Sequence, residues 1–594
     1  FEKFAREYPR SKDDPQLQKA MSELAEAEKD RVQFEPAQPT EAPTSSTLPI
    51  RELTLYSSWV GGPAPLSDNI ILTLDDQESV YGLQAVTGKV LWQRSVGGFL
   101  TDNVSSSYPR VAVDGEETVA MPDPLRQAVV LVALNTGHVK RVISLGEPPA
   151  SWVMSERSHL LVLGRSGKLH ILNPVEGQRI GCFRFPQSPA YPPTIDPVSR
   201  RAFILGEHSH MFTIRLDSRE CERVDYLAHE RGQLCAPPAL VSGNLVIPER
   251  RGNTGGRLRI IDVQTNTTDG FRVIQTIDLP RPVASPIQVL GTRFVIITTD
   301  GQLQVYQLRG GSDKQPFGLL AEGKTPDPSL SQKDWAIPRF VLFHKDQIIA
   351  ADTALTLFAL QASAGKLVPQ WVACQETLAV SSPLAQDSVL IYPHRYPDRP
   401  GMFLTAVDAE SGRVFWESQV ADPPLAEAHV VENAQTIQVL GQSGCAYQLG
   451  SAINSPSVAG IRPERVLRFP GIPEGKTPNG CVLPSNVWVV GVRGNRELLV
   501  LQPERDRVQV RTLNLPRALS SNPVAFGNSV VIGLDDGSLV NLDVTTQQPV
   551  GQPYQCEVAP GESITWADVV PVENKTVLAA NSTGWLLKLR WVDQ

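Results

Sequence analysis

The chain has 594 residues, a formal net charge of -8 and 20% charged residues, which excludes a globally basic protein steered to nucleic acid by its charge. Seven cysteines, Cys182, Cys221, Cys235, Cys374, Cys445, Cys481 and Cys556, are scattered with no C-x-x-C, which fits neither a zinc site nor a disulfide scaffold. No apolar run has the length of a membrane span, and 49 Pro with 44 Gly supply turns for many short strands.

At the N-terminus, Phe1, Phe4 and Tyr8 share one helical face, and Asp14-Pro15 offers an N-cap followed by proline at the first helical position. A second helix is predicted behind it, with Leu17, Met21 and Leu24 along one stripe. Residues 1–34 are read as this helical segment. Residues 35–56 are read as a Pro/Thr/Ser linker, centred on PAQPTEAPTSSTLP.

From residue 57 onwards one unit recurs. VVIGLDDGSLVNLD at 530–543 runs an apolar strand into Asp-Asp-Gly and out along a strand of period two, the pattern of a tight hairpin. Equivalent stretches start at Leu160, Phe294, Ile437 and Val577, each with glycine at the same turn position, where a two-residue hairpin requires positive φ. Extended outwards, the unit has a Pro or small-residue entry and, in two copies, an ending in Gly-Lys-Val-Leu-Trp (Gly88, Trp92) or Gly-Arg-Val-Phe-Trp (Gly412, Trp416). The period is four short strands in roughly 45 residues, the length of a propeller blade. The predicted fold is therefore all-β, with about twelve four-stranded blade units in two rings after a short helical segment. Residues 323–333, GKTPDPSLSQK, are the least strand-like break, so the rings are predicted over 57–325 and 334–594; 471–480 is a competing boundary.

The order of small-Pro-Val, apolar strand, Asp-Gly, apolar strand and Thr-Gly-Lys-x-x-Trp resembles the repeat of pyrroloquinoline-quinone-type β-propellers. That family includes quinoprotein alcohol dehydrogenases and the non-catalytic propeller lipoprotein of the bacterial outer-membrane assembly machine. The resemblance runs from about Trp59 to the C-terminus, and the compartment it implies is the periplasm or cell envelope. The chain opens on Phe1, so a membrane anchor or export signal upstream is left open. F-x-x-F-x-x-x-Y-P at the N-terminus resembles the tail of a tetratricopeptide-type repeat and reads equally well as a solvated amphipathic helix pair.

Family quinoenzymes hold their cofactor under adjacent, disulfide-linked cysteines; no such pair occurs here, and no cofactor is expected. Trp92 and Trp416, with Gly88 and Gly412, match the family's blade-docking positions rather than a cofactor floor. Glu207-His208-Ser209-His210 is the nearest approach to a metal motif, but it occupies a turn where other units carry Asp-Gly or Ser-Gly. Gly441-Gln442-Ser443-Gly444-Cys445 fails as a nucleophile elbow at its last position, and no phosphate-binding loop is present.

Loop length remains as a signal. The second-to-third-strand turn expands at 121–127 (MPDPLRQ), 249–257 (ERRGNTGGR) and 392–401 (YPHRYPDRPG). The last two concentrate Arg250, Arg251, Arg257, His394, Arg395, Tyr396 and Arg399, an interface-type composition in an acidic chain. These residues are the expected contact points for protein partners, and the function read from sequence is a non-catalytic scaffold. A quinone-dependent or otherwise cryptic oxidoreductase and a small-ligand sensor stand as alternatives.

Overall fold

The computed structural model describes residues 14–37, 57–65, 70–74, 79–95, 109–124, 126–150, 154–156, 158–252, 254–264, 271–309, 315–326, 337–397, 399, 401–420, 422, 424–425, 429–431, 436–443, 445–449, 465–468, 478–485, 487–503, 508–556, 565–572, 576–582 and 584–591. The face drawn from Phe1, Phe4 and Tyr8 and most of the 35–56 linker lie outside these residues.

The helix Pro15–Asp30 starts where its cap is written: Asp14 is extended, its carboxylate accepts the Gln16 N–H at 2.9 Å, and Pro15 follows as the first helical residue. Leu24 on the expected stripe is largely solvent-exposed. The chain then enters a strand, Gln33–Pro36, that pairs antiparallel with Gln178–Arg184. The division at residue 34 therefore needs correcting, because Phe34, Glu35 and Pro36 are the fifth strand of a sheet built from residues 154–184.

Nearly everything else is antiparallel strand, in short sheets of neighbouring segments. Among the described residues these form twelve propeller-type units. The hairpins explain the glycines, with one correction. Thr298 N–H bonds the Gln302 carbonyl and Gly301 N–H bonds the Thr298 carbonyl, both at 2.9 Å, so three residues rather than two turn the chain. Such a loop is a type I turn closed by a left-handed residue, and Gly301 has φ +85°. In the unit at 194–226 the same place is taken by Ser209, at φ 60° and fully buried.

Two compact units divide the chain. The first comprises Phe1–Glu52, Val60–His394 and Leu404–Glu417; the second comprises Leu53–Trp59, Arg395–Phe403 and Ser418–Gln594. The first unit carries seven whole sheets and most of the strand residues of an eighth, and its cores lie between consecutive sheets. Val80, Trp92 and Met121 join the first two, Leu161 and Phe212 the third and fourth, and Phe294 and Ile260 the fifth and sixth. The stretch 323–333, expected to separate two rings of six, lies inside this unit. Val295, Val305 and Ala321 before it share one core with Val341, Ile348 and Phe358 after it, and Glu322 pairs with Lys366 across the two sheets. A Pro-rich insertion between two blades looks like a linker in sequence because composition does not report which side chains interlock behind it.

The second unit carries four sheets, with strands between His429–Val431 and Leu586–Arg590. Leu440 with Trp488, Val489 with Val530, and Val531 with Val577 join them in succession.

Candidate partner-binding surfaces

Tryptophan docking fixes the sheets of the first unit side by side. Trp92 is buried and donates its indole N–H to the Leu134 carbonyl of the next sheet at 2.7 Å. Its ring lies on Gly137, where a Cβ would sit 2.7 Å from the Trp92 Cγ. Trp371 repeats this toward the eighth sheet, donating to Ala409 at 3.1 Å and lying on Gly412. Trp416 in turn donates to Ala85 of the first sheet at 3.0 Å, in the turn that holds Gly88 at φ 68°. Each Trp therefore rests on the Gly turn of its neighbour rather than on the turn of its own repeat. Trp371 follows Gly365-Lys366 but stands six residues after the glycine, whereas Trp92 and Trp416 stand four after theirs, so sequence reasoning missed it.

A second recurring device is polar. At Gly164, Gly206 and Gly441 the second strand of a unit ends without a side chain, and an upstream polar residue occupies the space. Glu147 accepts the Ser166 N–H at 2.7 Å and meets His170 Nε2 at 2.9 Å. Gln187 accepts the His208 N–H at 3.1 Å and meets His210 Nδ1 at 2.9 Å. Asp422 accepts the Ser443 N–H at 3.0 Å, the Ser443 hydroxyl, and the Tyr447 hydroxyl at 2.6 Å. Burial pushes the Glu147 carboxyl up, but the hydrogen bonds from His170 and Ser166 outweigh it and hold it down at about 2. Burial dominates at Asp422 and raises its carboxyl.

These clasps account for His208 and His210, the suspected metal motif: His210 completes a clasp, and His208 Nδ1 lies 3.4 Å from Ser209 Oγ. His229, fully buried, contacts the Gly206 carbonyl through Nε2 at 2.9 Å. Burial lowers its pKa to about 4.

The arginine loops differ from their expected form. Residues 249–257 are mostly strand, since Asn244–Arg251 pairs with Gly255–Asp262 up to Arg251 opposite Gly255. Arg251 pairs with Asp278 at 2.6 Å and Arg257 with the same carboxylate at 3.5 Å, while Glu249 is buried against Arg259. Arg250 and Arg251 are both exposed at the end of the strand. At 392–401 the strands Val389–Arg395 and Met402–Asp408 shorten the loop likewise. His394, expected to face a partner, is fully buried. Its Nε2 meets Thr405 Oγ1 at 2.8 Å and its ring stacks at 4.8 Å on Tyr392, two residues back on the same face of a strand that is buried on both faces from Val389 to His394. At the tip, Tyr396 packs edge-on against Phe403 at 4.8 Å, and the Arg399 guanidinium lies over the Tyr396 ring at 4.5 Å. The third stretch, 121–127, is closed by Asp123, which is bonded by Arg126 through both backbone and side chain.

A surface absent from the sequence reading lies where the N-terminal segment seats. Gly181 leaves room for Phe34, whose Cζ would lie 2.5 Å from a Cβ there; Phe34 packs on Phe183 at 5.1 Å, and Arg219 lies over it at 5.5 Å. The helix runs along Glu220–Tyr226. Between them opens a cleft of about 500 Å³ lined by Lys29, Phe34, Phe183, Arg219 and Cys221 among others. Burial pushes the Cys221 thiol up to about 12, which makes it a poor nucleophile.

Repeated four-stranded sheets, interlocked face to face by tryptophans and polar clasps, define a β-propeller protein. Residues 31–182 match the family described as "Outer membrane protein assembly factor BamB", a stretch shorter than half of the chain. No curated protein matches the chain. Among solved structures it is similar to BamB from Moraxella catarrhalis, at 12% identity and a TM-score of 0.39 over 62% of this chain and 99% of that one. It is also similar to the computationally designed Ika8 protein, at 14% identity and a TM-score of 0.39 over 61% and 96%. No helix among the described residues is long and apolar enough to cross a membrane.

Proposed function

We propose that the chain is a non-catalytic propeller scaffold that binds protein partners in a bacterial cell envelope. The observation that carries this reading is the match of residues 31–182 to the outer-membrane assembly factor family. It is supported by the disposition of the polar groups at the strand ends. Glu147, Gln187, Asp422 and His394 all make internal hydrogen bonds within or between blades. Contact chemistry is instead offered by exposed arginine and by the Arg395, Tyr396 and Arg399 tip, where an aromatic ring is already held rigid by Phe403.

The test is site-specific photo-crosslinking in the native host, with the photoreactive residue placed at Tyr396 and, separately, at Arg250. Discrete protein adducts found in the envelope fraction, and weakened by Arg399→Glu, are expected. A folded chain that gives no adduct from either position, or that fractionates with the cytosol, overturns the reading.

A further inference from the structure

Between the fourth and fifth sheets of the first unit the chain folds back through residues 227–233, and one buried side chain holds that loop down. His229 is fully buried, while Glu230, Arg231 and Gly232 beside it are exposed. Its Nε2 meets the Gly206 carbonyl at 2.9 Å, and a carbonyl can only accept, so the proton sits on Nε2 and Nδ1 is bare. Nδ1 is buried with no hydrogen-bond partner among the described residues. The backbone closes the same seat. Ser209 N–H donates to the His229 carbonyl at 2.8 Å, and the Leu227 and Ala228 N–H groups both donate to the Ser209 carbonyl. Ser209 and Ala228 stand at φ 60° and 56°, a left-handed conformation that residues with a Cβ adopt at a cost, so the loop is held against backbone strain. It also reaches the surface residues of the fifth sheet, where the Gln233 carbonyl accepts the Arg250 N–H at 2.7 Å.

We propose that residues 227–233 form an acid-released latch: a proton taken up at Nδ1 of His229 drives the ring off Gly206, and the loop lifts together with the Gln233 carbonyl that steadies Arg250. The charges around the ring decide the direction. Arg259 of the fifth sheet is bound to Glu249 at 2.8 Å and donates to the Leu227 carbonyl; the turn at 206–210 carries Glu207, His208 and His210, and the loop itself Glu230 and Arg231. Glu207 is paired with Arg231 at 3.0 Å, and among the described residues no carboxylate reaches Nδ1, so a proton there meets nearby cations and no acceptor. Burial, with Arg259, His208 and His210, lowers the pKa of His229 from 6.5 to about 4. A group whose seated pKa is lowered favours the closed loop above 6.5 and releases it as pH falls toward 4. Release needs no blade to part, since the outer side of the loop is open: an added Cβ at Gly232 would meet nothing within 4 Å. The latch stands on its own geometry, and its effect on Arg250 as a contact point rests on the scaffold reading.

The experiment follows amide hydrogen exchange of the full chain at about pH 7.5 and pH 5, with labelling times scaled to the intrinsic exchange rate. Between the two, exchange through loop opening should rise about 30-fold at residues 207–210 and 227–233, with Arg201–Leu205 and Gly255–Asp262 unchanged. His229→Gln, whose amide can still donate to the Gly206 carbonyl but takes up no proton, should hold the loop closed at both pH values. Uniform loss of protection through the unit, an unchanged loop, or a wild-type response in His229→Gln overturns the proposal. If His229→Gln does not close the loop at pH 7.5, the histidine Cε1–H resonances of the wild type decide. The one missing from the variant should titrate with the same midpoint as loop exchange, and separate midpoints overturn the latch. Cross-links from Arg250 should weaken at pH 5 while those from Tyr396 persist; Arg250 cross-links that persist on an open latch overturn its link to partner binding. Exchange is read with no partner present, so its failure with cross-links intact refutes the latch alone, whereas an intact latch with no cross-links from either position at pH 7.5 refutes the scaffold reading instead.

Discussion

Trp416 donates its indole N–H to the carbonyl of Ala85, 3.0 Å away and 331 residues earlier in the chain. This contact brings the eighth sheet of the first unit back onto the first, and it is the longest-range member of a series that includes Trp92 on Leu134 and Trp371 on Ala409. A ring assembled from local hairpins folds through short-range contacts until its last sheet must meet its first. The closing contact carries the loop-closure entropy of everything between.

Replacing Trp416 or Trp92 with Ala should therefore cost about 3 to 5 kcal/mol each in denaturant melts, since both rings are almost fully buried. The two variants should differ in kind. Trp416→Ala removes ring closure and should increase protease sensitivity at both ends of the first unit, whereas Trp92→Ala opens one sheet-to-sheet joint. Losses below about 1 kcal/mol would show that the rings contribute little to docking.

The polar clasps predict a sharp steric asymmetry. Gly441→Ala places a Cβ 2.0 Å from Asp422 Oδ2, so the carboxylate must leave the Ser443 and Tyr447 donors. A loss of about 2 to 4 kcal/mol is expected in urea melts, from expelled hydrogen bonds left buried. Gly494→Ala, at an exposed turn with nothing within 4 Å of the added Cβ, serves as the comparison; it bears only the cost of its positive φ.

Hairpin units were legible in the sequence because one residue type, glycine, is required at one turn position, and Gly167, Gly301 and Gly537 all have positive φ there. The clasps were not. Their members are Glu, Gln or Asp paired with His, His or Tyr, drawn from separate segments, so no residue type repeats. The arginine stretch at 249–257 was misread for a related reason. Gly252, Gly255 and Gly256 signal a loop, yet Gly256 is a strand residue, made small by the Arg281 carbonyl 2.4 Å from where its Cβ would be. Division of the sheets into eight and four, rather than six and six, depends on cores such as Val295 with Val341, which only packing reveals.

Acid should destabilise the first unit in two steps. His229 has a folded pKa lowered by burial to about 4 against an ordinary 6.5, so the unfolded chain binds the extra proton and stability falls as pH drops from 6.5 through 4. The loss is on the order of 3 kcal/mol at most. Glu147, held at about 2 against 4.5, adds a further loss as pH falls below 4.5. Thermal melts of wild type, His229→Gln and Glu147→Gln between pH 7 and 3 should show the upper step absent in the first variant and the lower step weakened in the second. Parallel profiles in all three would place the acid response elsewhere.

The seat of the N-terminal strand offers the last prediction. Gln33–Pro36 makes only four cross-strand pairs, and a single strand of that length holds little stability of its own. What anchors it is Phe34, which enters the space left by Gly181, packs on Phe183 and lies under Arg219. Gly181→Val should fill that space and eject Phe34, while leaving the pairing of Gln178–Arg184 with Leu169–Asn173 intact, because valine suits a strand. Phe34→Ala should empty the same space from the other side. In hydrogen exchange, both variants should lose protection at residues 33–36 and along Pro15–Asp30, which runs beside the same seat, with the interior strands of the sheet unchanged. The Phe34→Ala, Gly181→Val double variant should be no worse than the worse single one, since either change already breaks the same contact. Additive losses would mean that Phe34 and Gly181 act independently, and the helix would then owe its position to its own contacts with Glu220–Tyr226.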